Sequence, residues 1–338
     1  MSQKTDKIRL ELEKIIDPSL KKTLKETEGI KHIGYDEESD VVTLIIGVGE
    51  KTPELEKDLK LTITKLIKLD LGHKGIKLQI EEHRQYNSIV NSSVRFIGII
   101  SGKGGVGKST VAANIAYRLA KKGHKVGIID ADIYGSSIPN LLEFDPSERP
   151  FYNNEGKITP LVKENIETIS TEFFTKPSEP VIWRGGMLHS MLDHFFYDVA
   201  WSKKMEYMLI DLPPGTGDIM LDIKSYIPQA KMILVTTPHP SASHVAIKAG
   251  YAAQKLEHEI LGIVENMSYY YNEANKKNEK LFGEGGGQMV ASSLGAELIC
   301  QIPINQPLHH VSLYESDEQI GSLYDDIADY IIMSYEKL

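Results

Sequence analysis

Arg95-Phe96-Ile97-Gly98-Ile99-Ile100-Ser101-Gly102-Lys103-Gly104-Gly105-Val106-Gly107-Lys108-Ser109-Thr110 decides the architecture of this chain. A short, isoleucine-rich run leads directly into a glycine-rich loop, and a helix-forming stretch follows to Lys122 with a C-cap at Gly123. Strand, loop and helix in that order are the context that the pattern G-x-x-x-x-G-K-[ST] requires. Glycines let the backbone turn so that successive N–H groups converge on a phosphate, and the helix N-terminus adds its positive end. Gly102, Lys103, Gly104, Gly105, Val106, Gly107, Lys108, Ser109 and Thr110 are therefore candidate nucleotide-binding residues. Lys108 would reach the β- and γ-phosphates, and the Ser109 hydroxyl would ligate Mg²⁺.

The same glycines also satisfy G-x-G-x-x-G through Gly102, Gly104 and Gly107, and Asp130 follows at about the distance where a dinucleotide-binding fold places an acid on ribose. Three features favour a nucleoside triphosphate instead. Lys108-Ser109 stands at the required place, a second acid, Asp132, follows Asp130, and another apolar run, Tyr207-Met208-Leu209-Ile210, ends in Asp211. An acid at the carboxyl end of a buried strand lies where open α/β sheets bind ligands, and Asp211 would hold Mg²⁺ through water. The ordinary alternative, a strand-ending acid that caps a turn, loses weight beside the glycine loop. Leu212-Pro213-Pro214-Gly215-Thr216-Gly217-Asp218 then supplies a loop able to respond to a γ-phosphate.

Outward from this centre, β-branched runs at Arg95–Ile100, Lys125–Ile129, Tyr207–Ile210, Met232–Thr236 and Glu259–Val264 alternate with helical stretches. Strands buried on both faces with helical crossovers make a doubly wound, mostly parallel α/β sheet. Residues 1–84 read as a small α+β domain: a helix over Lys4–Ile16, strands at Gly29–Tyr35 and Val41–Val48, a helix near Glu54–Leu71 and a strand near Gly75–Ile80. Polar, aperiodic residues 85–93 read as a linker, and 94–338 as the P-loop domain, closed by a helix over Ser322–Leu338.

The chain has 338 residues, enough for one large core and a smaller one, and its 41% hydrophobic and 25% charged residues are ordinary globular composition. No segment reaches the apolar length of a membrane span, and the charged N-terminus lacks a secretory apolar stretch, so a cytoplasmic location is expected. A net charge of -9 opposes binding to nucleic acid and anionic membranes. The single cysteine, Cys300, excludes an intramolecular disulfide and any cysteine-rich metal site within one chain.

Lys103, directly after the first glycine of the loop, resembles the deviant Walker A signature of the MinD, ParA and nitrogenase-iron-protein group. Asp130-Ala131-Asp132-Ile133-Tyr134-Gly135, Val181-Ile182-Trp183-Arg184-Gly185, Asp211 to Asp218, Gly262-Ile263-Val264-Glu265-Asn266-Met267 and Phe282-Gly283-Glu284-Gly285-Gly286-Gly287 are similar, in order, to motifs of the Mrp/ApbC family. The similarity covers about residues 94–320. It implies a homodimeric ATPase with ATP and Mg²⁺ as cofactors, which binds iron–sulfur clusters and passes them to apo-proteins. Lys103, Lys108 and Asp132 would be catalytic, with Lys103 crossing to the partner's nucleotide. Asp132 would lie in the first switch and Asp218 in the second. Asn266 would hydrogen-bond adenine, and Pro303 in the Gln301-Ile302-Pro303 turn would cover the base.

The resemblance breaks at one place. Many family members carry a C-x-x-C pair shortly after the stretch matching Glu265 to Ser268, and two such pairs in a dimer hold a cluster by four thiolates. Here that stretch is Tyr269-Tyr270-Tyr271-Asn272-Glu273-Ala274-Asn275, without a thiol, so no iron–sulfur ligand is identified. Cys300 reads as a small core residue on a buried strand, and His309-His310 as surface histidines. The departure resembles a SalA-like, cysteine-lacking branch, which implies the alternative of an ATP-gated regulator acting on a protein or DNA partner. No membrane partner is expected in either case, because the acidic C-terminal helix is a poor anchor.

Overall fold

The fold, known from a computed structural model, comprises two compact units, Met1–Ser92 and Ser93–Leu338. It is described for every residue except 1–2, 28, 37–38, 50, 83–88, 134, 176–184, 216, 218 and 337–338. Of the expected linker, residues 85–88 lie outside the described residues, and Ile89–Asn91 forms a short 3-10 turn.

The first unit contains α1 (Gln3–Leu12), β1 (Ile30–Asp36), β2 (Val41–Val48), α2 (Pro53–Lys65) and β3 (Gly75–Glu82). β1 is antiparallel to β2, whereas β2 and β3 are parallel, a pairing that needs a crossover, which α2 supplies. Alternation along β2 sends Val42, Leu44 and Ile46 into a core with Ile8, Leu12, Leu59 and Ile63. Thr52 caps α2 by accepting from the Leu55 amide, and Pro53 fixes its first turn. The first helix stops at Leu12, short of the expected Ile16, and the buried Asp17 carboxylate takes the amides of Ser19 and Gly49, both at 2.8 Å. That carboxylate turns the chain back toward the end of β2.

The second unit runs through β4 (Arg95–Ser101), α3 (Lys108–Lys121), β5 (Val126–Asp130), α4 (Ile138–Leu141), the hairpin β6 (Phe151–Tyr152) and β7 (Ile158–Thr159), β8 (Leu161–Lys163) and β9 (Ile166–Ser170). It continues with α5 (Gly185–Asp193), β10 (Tyr207–Asp211), α6 (Ile219–Tyr226), β11 (Lys231–Thr236), α7 (Pro240–Lys255) and β12 (Ile260–Glu265). The hairpin β13 (Tyr270–Asn272) and β14 (Lys277–Glu279), α8 (Gly286–Leu294), β15 (Leu298–Gln301) and α9 (Gln319–Glu336) complete it.

Eight strands form one sheet in the order β15-β12-β11-β4-β10-β5-β9-β8, and only β8, on the edge, runs antiparallel to its neighbour. This is the doubly wound sheet expected from the sequence, and the five expected strands appear within a residue of their expected limits. β4, β5, β10 and β11 are buried on both faces apart from Arg95, which accounts for their lack of alternation. β8 and β9 were not expected; Glu167 and Thr168 interrupt the apolar run of β9. Winding proceeds from β4 toward β5 on one side and, through β11 and β12, toward β15 on the other. The loop after β4 thus lies at the reversal point, where such sheets open a crevice at their carboxyl ends. Among the described residues no helix is long and apolar enough to cross a membrane.

Candidate nucleotide site

The glycine loop joins β4 to α3, whose N-cap is Gly107 in the left-handed region at φ 82°. A Cβ on Gly107 would also meet Asn266 Nδ2 at 2.1 Å, and one on Gly102 would meet the Val245 backbone of α7 at 2.3 Å. Glycine at these positions lets the loop lie against two neighbouring elements while its amides turn inward. The Gly215 amide donates to Ser101 O at 2.8 Å, so the Pro-Pro-Gly loop after β10 is hydrogen-bonded to the base of the phosphate loop.

Lys108 and Asp211 are both buried, and Lys108 Nζ is bound to Asp211 Oδ1. Ser109 Oγ donates to Asp211 Oδ2 at 2.5 Å, and Asp132 Oδ2 lies 3.6 Å from Lys108 Nζ. The parallel register that sets Asp211 opposite Asp130 brings a third carboxylate into the group. Asp130 is fully buried: Oδ2 accepts from Ser136 Oγ at 2.6 Å, Ser170 Oγ at 3.1 Å and the Ile138 amide at 3.3 Å. Oδ1 accepts from the Asp132 amide at 3.3 Å. Asp130 therefore fixes the turn that presents Asp132, a role not read from the sequence, where only the pairing of two acids around Ala131 signalled it.

Burial, followed by the Asp211 charge, pushes Asp130 up to about 7. Burial pushes Asp211 in the same direction against the lowering influence of Lys108 and Ser109. A cavity of about 750 Å³ opens over this group, lined by Lys103, Lys108, Ser109, Thr110, Asp132 and Pro214 among others. Lys103 is exposed and also borders a smaller cavity of about 280 Å³ with Met267 and Phe282. Asp218 lies outside the described residues, as does the stretch from Val181 to Arg184.

Asn266 follows β12 and is buried against the phosphate loop, with Nδ2 donating to Val106 O at 3.0 Å. Pro303 follows β15 in a turn joined to the β12 exit: Ile302 N donates to Glu265 O and Ser268 N to Ile302 O, each at 2.8 Å. Phosphate loop, β12 exit and β15 exit are thereby adjacent at one edge of the sheet.

Cys300 is buried on β15 opposite Val264, and burial, with the nearby Asp326 carboxylate, pushes its thiol up to about 12. His310 is half-buried rather than a plain surface residue, with its ring nitrogens 3.5 Å from Glu143 and 3.4 Å from Glu315, while exposed His309 faces Asp317. Among the described residues no group of three or more His, Cys, Asp and Glu side chains is arranged to hold a metal ion.

Residues 93–331 match the model of the ParA family, described as NUBPL iron-transfer P-loop NTPase. The chain belongs to this family. It is a P-loop ATPase, and its nucleotide is ATP. An iron-sulfur cluster carrier protein of Bacillus subtilis is 35% identical over 345 residues, covering 96% of this chain and 97% of its own. One of Mycobacterium leprae is also 35% identical, over 94% of this chain and 90% of its own. Among solved structures, a nucleotide-binding protein from Archaeoglobus fulgidus in complex with ADP, with cobalt found in it, is 33% identical with a TM-score of 0.52. The match covers 70% of this chain and 88% of that one. The Pyrococcus furiosus cell division ATPase MinD, 21% identical at a TM-score of 0.50 over 71% of this chain and 99% of its own, shares the fold.

The raised Asp130 gives a test of the buried acid group. Its folded pKa exceeds that of an unfolded carboxylate, so the native state retains a proton that the unfolded chain releases, and stability is lost as pH rises through the folded value. Equilibrium denaturation without nucleotide should show the wild type losing stability relative to Asp130→Asn between about pH 4 and about pH 7. A stability difference that is flat across this range would contradict the assignment.

Proposed function

We propose that the chain is a cytoplasmic, homodimeric ATPase that hydrolyses Mg·ATP slowly and uses the cycle to bind iron–sulfur clusters and pass them to apo-proteins. The observation carrying the ATPase half is the convergence of Lys108, Ser109, Asp132 and Asp211 beneath the phosphate loop. The carrier half is supported by the family and by the names of the curated relatives.

In this reading, phosphate oxygens replace Asp211 as the partner of Lys108, and the loop amides take the remaining phosphate charge. Ser109 and, through water, Asp211 would be the residues that hold Mg²⁺ once Asp211 is no longer paired with the lysine. The donors suit this ion: Asp132 and Asp211 both lie against one lysine with Asp130 close by, an excess of negative charge in a site where burial and then the Asp211 charge already raise Asp130. Mg²⁺ would neutralise charge on the β- and γ-oxygens. Asp132, fixed by the Asp130 clasp, orients the attacking water, and Asp218 belongs to the second switch. Lys103 reaches the partner's nucleotide when the dimer closes and stabilises charge on the transferring phosphoryl group.

Lys108→Ala removes the charge facing the β- and γ-phosphates and should lower turnover at least about 100-fold. Turnover and ATP affinity that remain at wild-type values would refute the site assignment.

Dependence on Lys103 has its own signature. The specific rate of the wild type should rise with protein concentration, and Lys103→Ala should retain ATP binding while losing turnover. A rate per chain that stays constant on dilution into a range shown by ultracentrifugation to be monomeric would remove the trans role.

One observation favours the second reading, an ATP-gated regulator acting on a protein or DNA partner. A dimer of this chain owns two cysteines, and the thiol in each is buried and held protonated, which does not fit a four-thiolate cluster. Anaerobic reconstitution with iron and sulfide should therefore give weak or substoichiometric cluster binding by the isolated protein. A stable cluster that disappears in Cys300→Ser would overturn the core assignment of that thiol. Absence of any cluster, together with ATP-dependent binding of a client, would replace the carrier reading by the regulator, since a ligand shifts an equilibrium only through differential affinity.

A further inference from the structure

Asn266 and Pro303, the two residues assigned to the base, stand on different strand exits, and a single buried side chain joins those exits. Glu265 ends β12 and is completely inaccessible. Its Oε1 accepts from Ser268 Oγ at 2.6 Å and from Gln301 Nε2 at 2.7 Å. Its Oε2 accepts from the amide of Gly287, in the first turn of α8. One carboxylate thus binds the segment after β12, the last residue of β15 and the N-terminus of a helix, whose positive end favours the negative charge. The sequence is built to admit it: a Cβ on Gly287 would lie 2.8 Å from Glu265 Cβ and 2.9 Å from Oε2. The next residue, Asn266, is simultaneously hydrogen-bonded to the phosphate loop at Val106 O.

We infer that Glu265 is a positioning residue for recognition of the nucleotide base, acting through Asn266 and the Gln301–Pro303 turn rather than touching nucleotide. This rests on the assignment of Asn266 and Pro303 to the base and adds to it a side chain that, together with the backbone bonds of Ile302 to Glu265 and Ser268, holds them in mutual register. Hydrogen bonds to a buried carboxylate are among the stronger ones in proteins, and three of them from separate segments give Glu265 the leverage to set both exits. In Glu265→Gln the charge that strengthens all three contacts is lost, and the carboxamide keeps the Gly287 amide on its oxygen only by turning its nitrogen toward Ser268 and Gln301, whose side chains must rotate to accept. In the double variant Glu265→Gln/Gln301→Glu the polarity is restored: the carboxamide introduced on β12 accepts from the Gly287 amide through its oxygen and donates through its nitrogen to the carboxylate introduced on β15.

The test compares Mg·ATP with Mg·tripolyphosphate, which engages the phosphate loop but carries no base. Glu265→Gln should weaken ATP binding about 10-fold and tripolyphosphate binding less than about twofold, and the double variant should recover most of the ATP affinity. Equal weakening of both ligands, or unaltered ATP affinity in a folded variant, would show Glu265 to be a structural residue only and overturn the inference. Asn266→Ala separates the two levels. If it leaves the ratio of the two affinities unchanged, the base assignment falls and takes this inference with it; if it lowers the ratio while Glu265→Gln does not, only the role of Glu265 falls. Should Glu265→Gln fail to fold, Ser268→Ala and Gln301→Met each remove one donor from the same carboxylate. A lowered ratio in these variants supports the inference, and an unchanged ratio in both overturns it.

Discussion

The pairing of Lys108 with Asp211 is the interaction on which the site depends. The two residues arrive from the ends of adjacent parallel strands, β4 through its loop and β10 directly, and both are buried. A buried ion pair of this kind adds little stability, because desolvation offsets most of the attraction. Its value is in what it holds in reserve. A lysine that must exist in a dry crevice needs a counter-charge, and a phosphate can displace that counter-charge only if the carboxylate has somewhere else to direct its own charge. Ser109, whose hydroxyl donates to the other oxygen of Asp211, gives that carboxylate a second partner. The result is three carboxylates, Asp130, Asp132 and Asp211, close to one lysine, and burial followed by the Asp211 charge raises Asp130 among them.

Parallel topology makes such crowding available without long side-chain reach. Every strand of the eight-stranded sheet except β8 points its carboxyl end to the same edge, so their last residues meet on a common rim. β4 contributes the phosphate loop, β5 and β9 contribute Asp130 and its partner Ser170, β10 contributes Asp211, and β12 and β15 contribute Glu265 and Gln301. Polar residues at these ends are tolerated because each is satisfied by a neighbour across the rim, as buried polar groups must be. Asp130 and Glu265 do the same job on opposite sides of β4, each holding a turn through several donors to one carboxylate.

Much of this was legible in the sequence, for a definite reason. Strands buried on both faces appear as unbroken β-branched runs, and the glycine loop carries its own spacing, so β4, β5, β10, β11 and β12 and the residues Gly102 to Thr110 could be read directly. What could not be read were contacts that depend on folding distant segments together. Ser170 meets Asp130 across forty residues, and Gln301 meets Glu265 across thirty-six. β9 carries Glu167 and Thr168 inside a short strand, so its periodicity was lost, and Ser170 was lost with it. Glu265 did leave a signal, an acid closing an otherwise apolar run, of the same kind that identified Asp211. His310 shows the converse error: adjacency to His309 suggested a surface pair, whereas its ring is placed between Glu143 and Glu315 by the packing of α3 and the segment before α9.

The absence of a thiol pair alters what the segment between β12 and β15 can do, but not how it is attached. That segment begins at Asn266 on the phosphate loop, passes through the hairpin with exposed Tyr270 and Tyr271, and returns through α8 to Gln301. Glu265 fastens its start to its end and to the first turn of α8. This is the stretch at which the resemblance implies a thiol pair in other family members, and in this chain it is a loop closed at its base beside the phosphate loop. Replacing thiolates by tyrosines exchanges soft metal donors for aromatic surface and leaves that closed base intact. The physical requirement for coupling, a loop whose two ends are tied to the site of phosphate binding, is therefore independent of the chemistry at its tip. Whatever this segment engages is therefore decided by the exposed residues of the hairpin rather than by the phosphate loop.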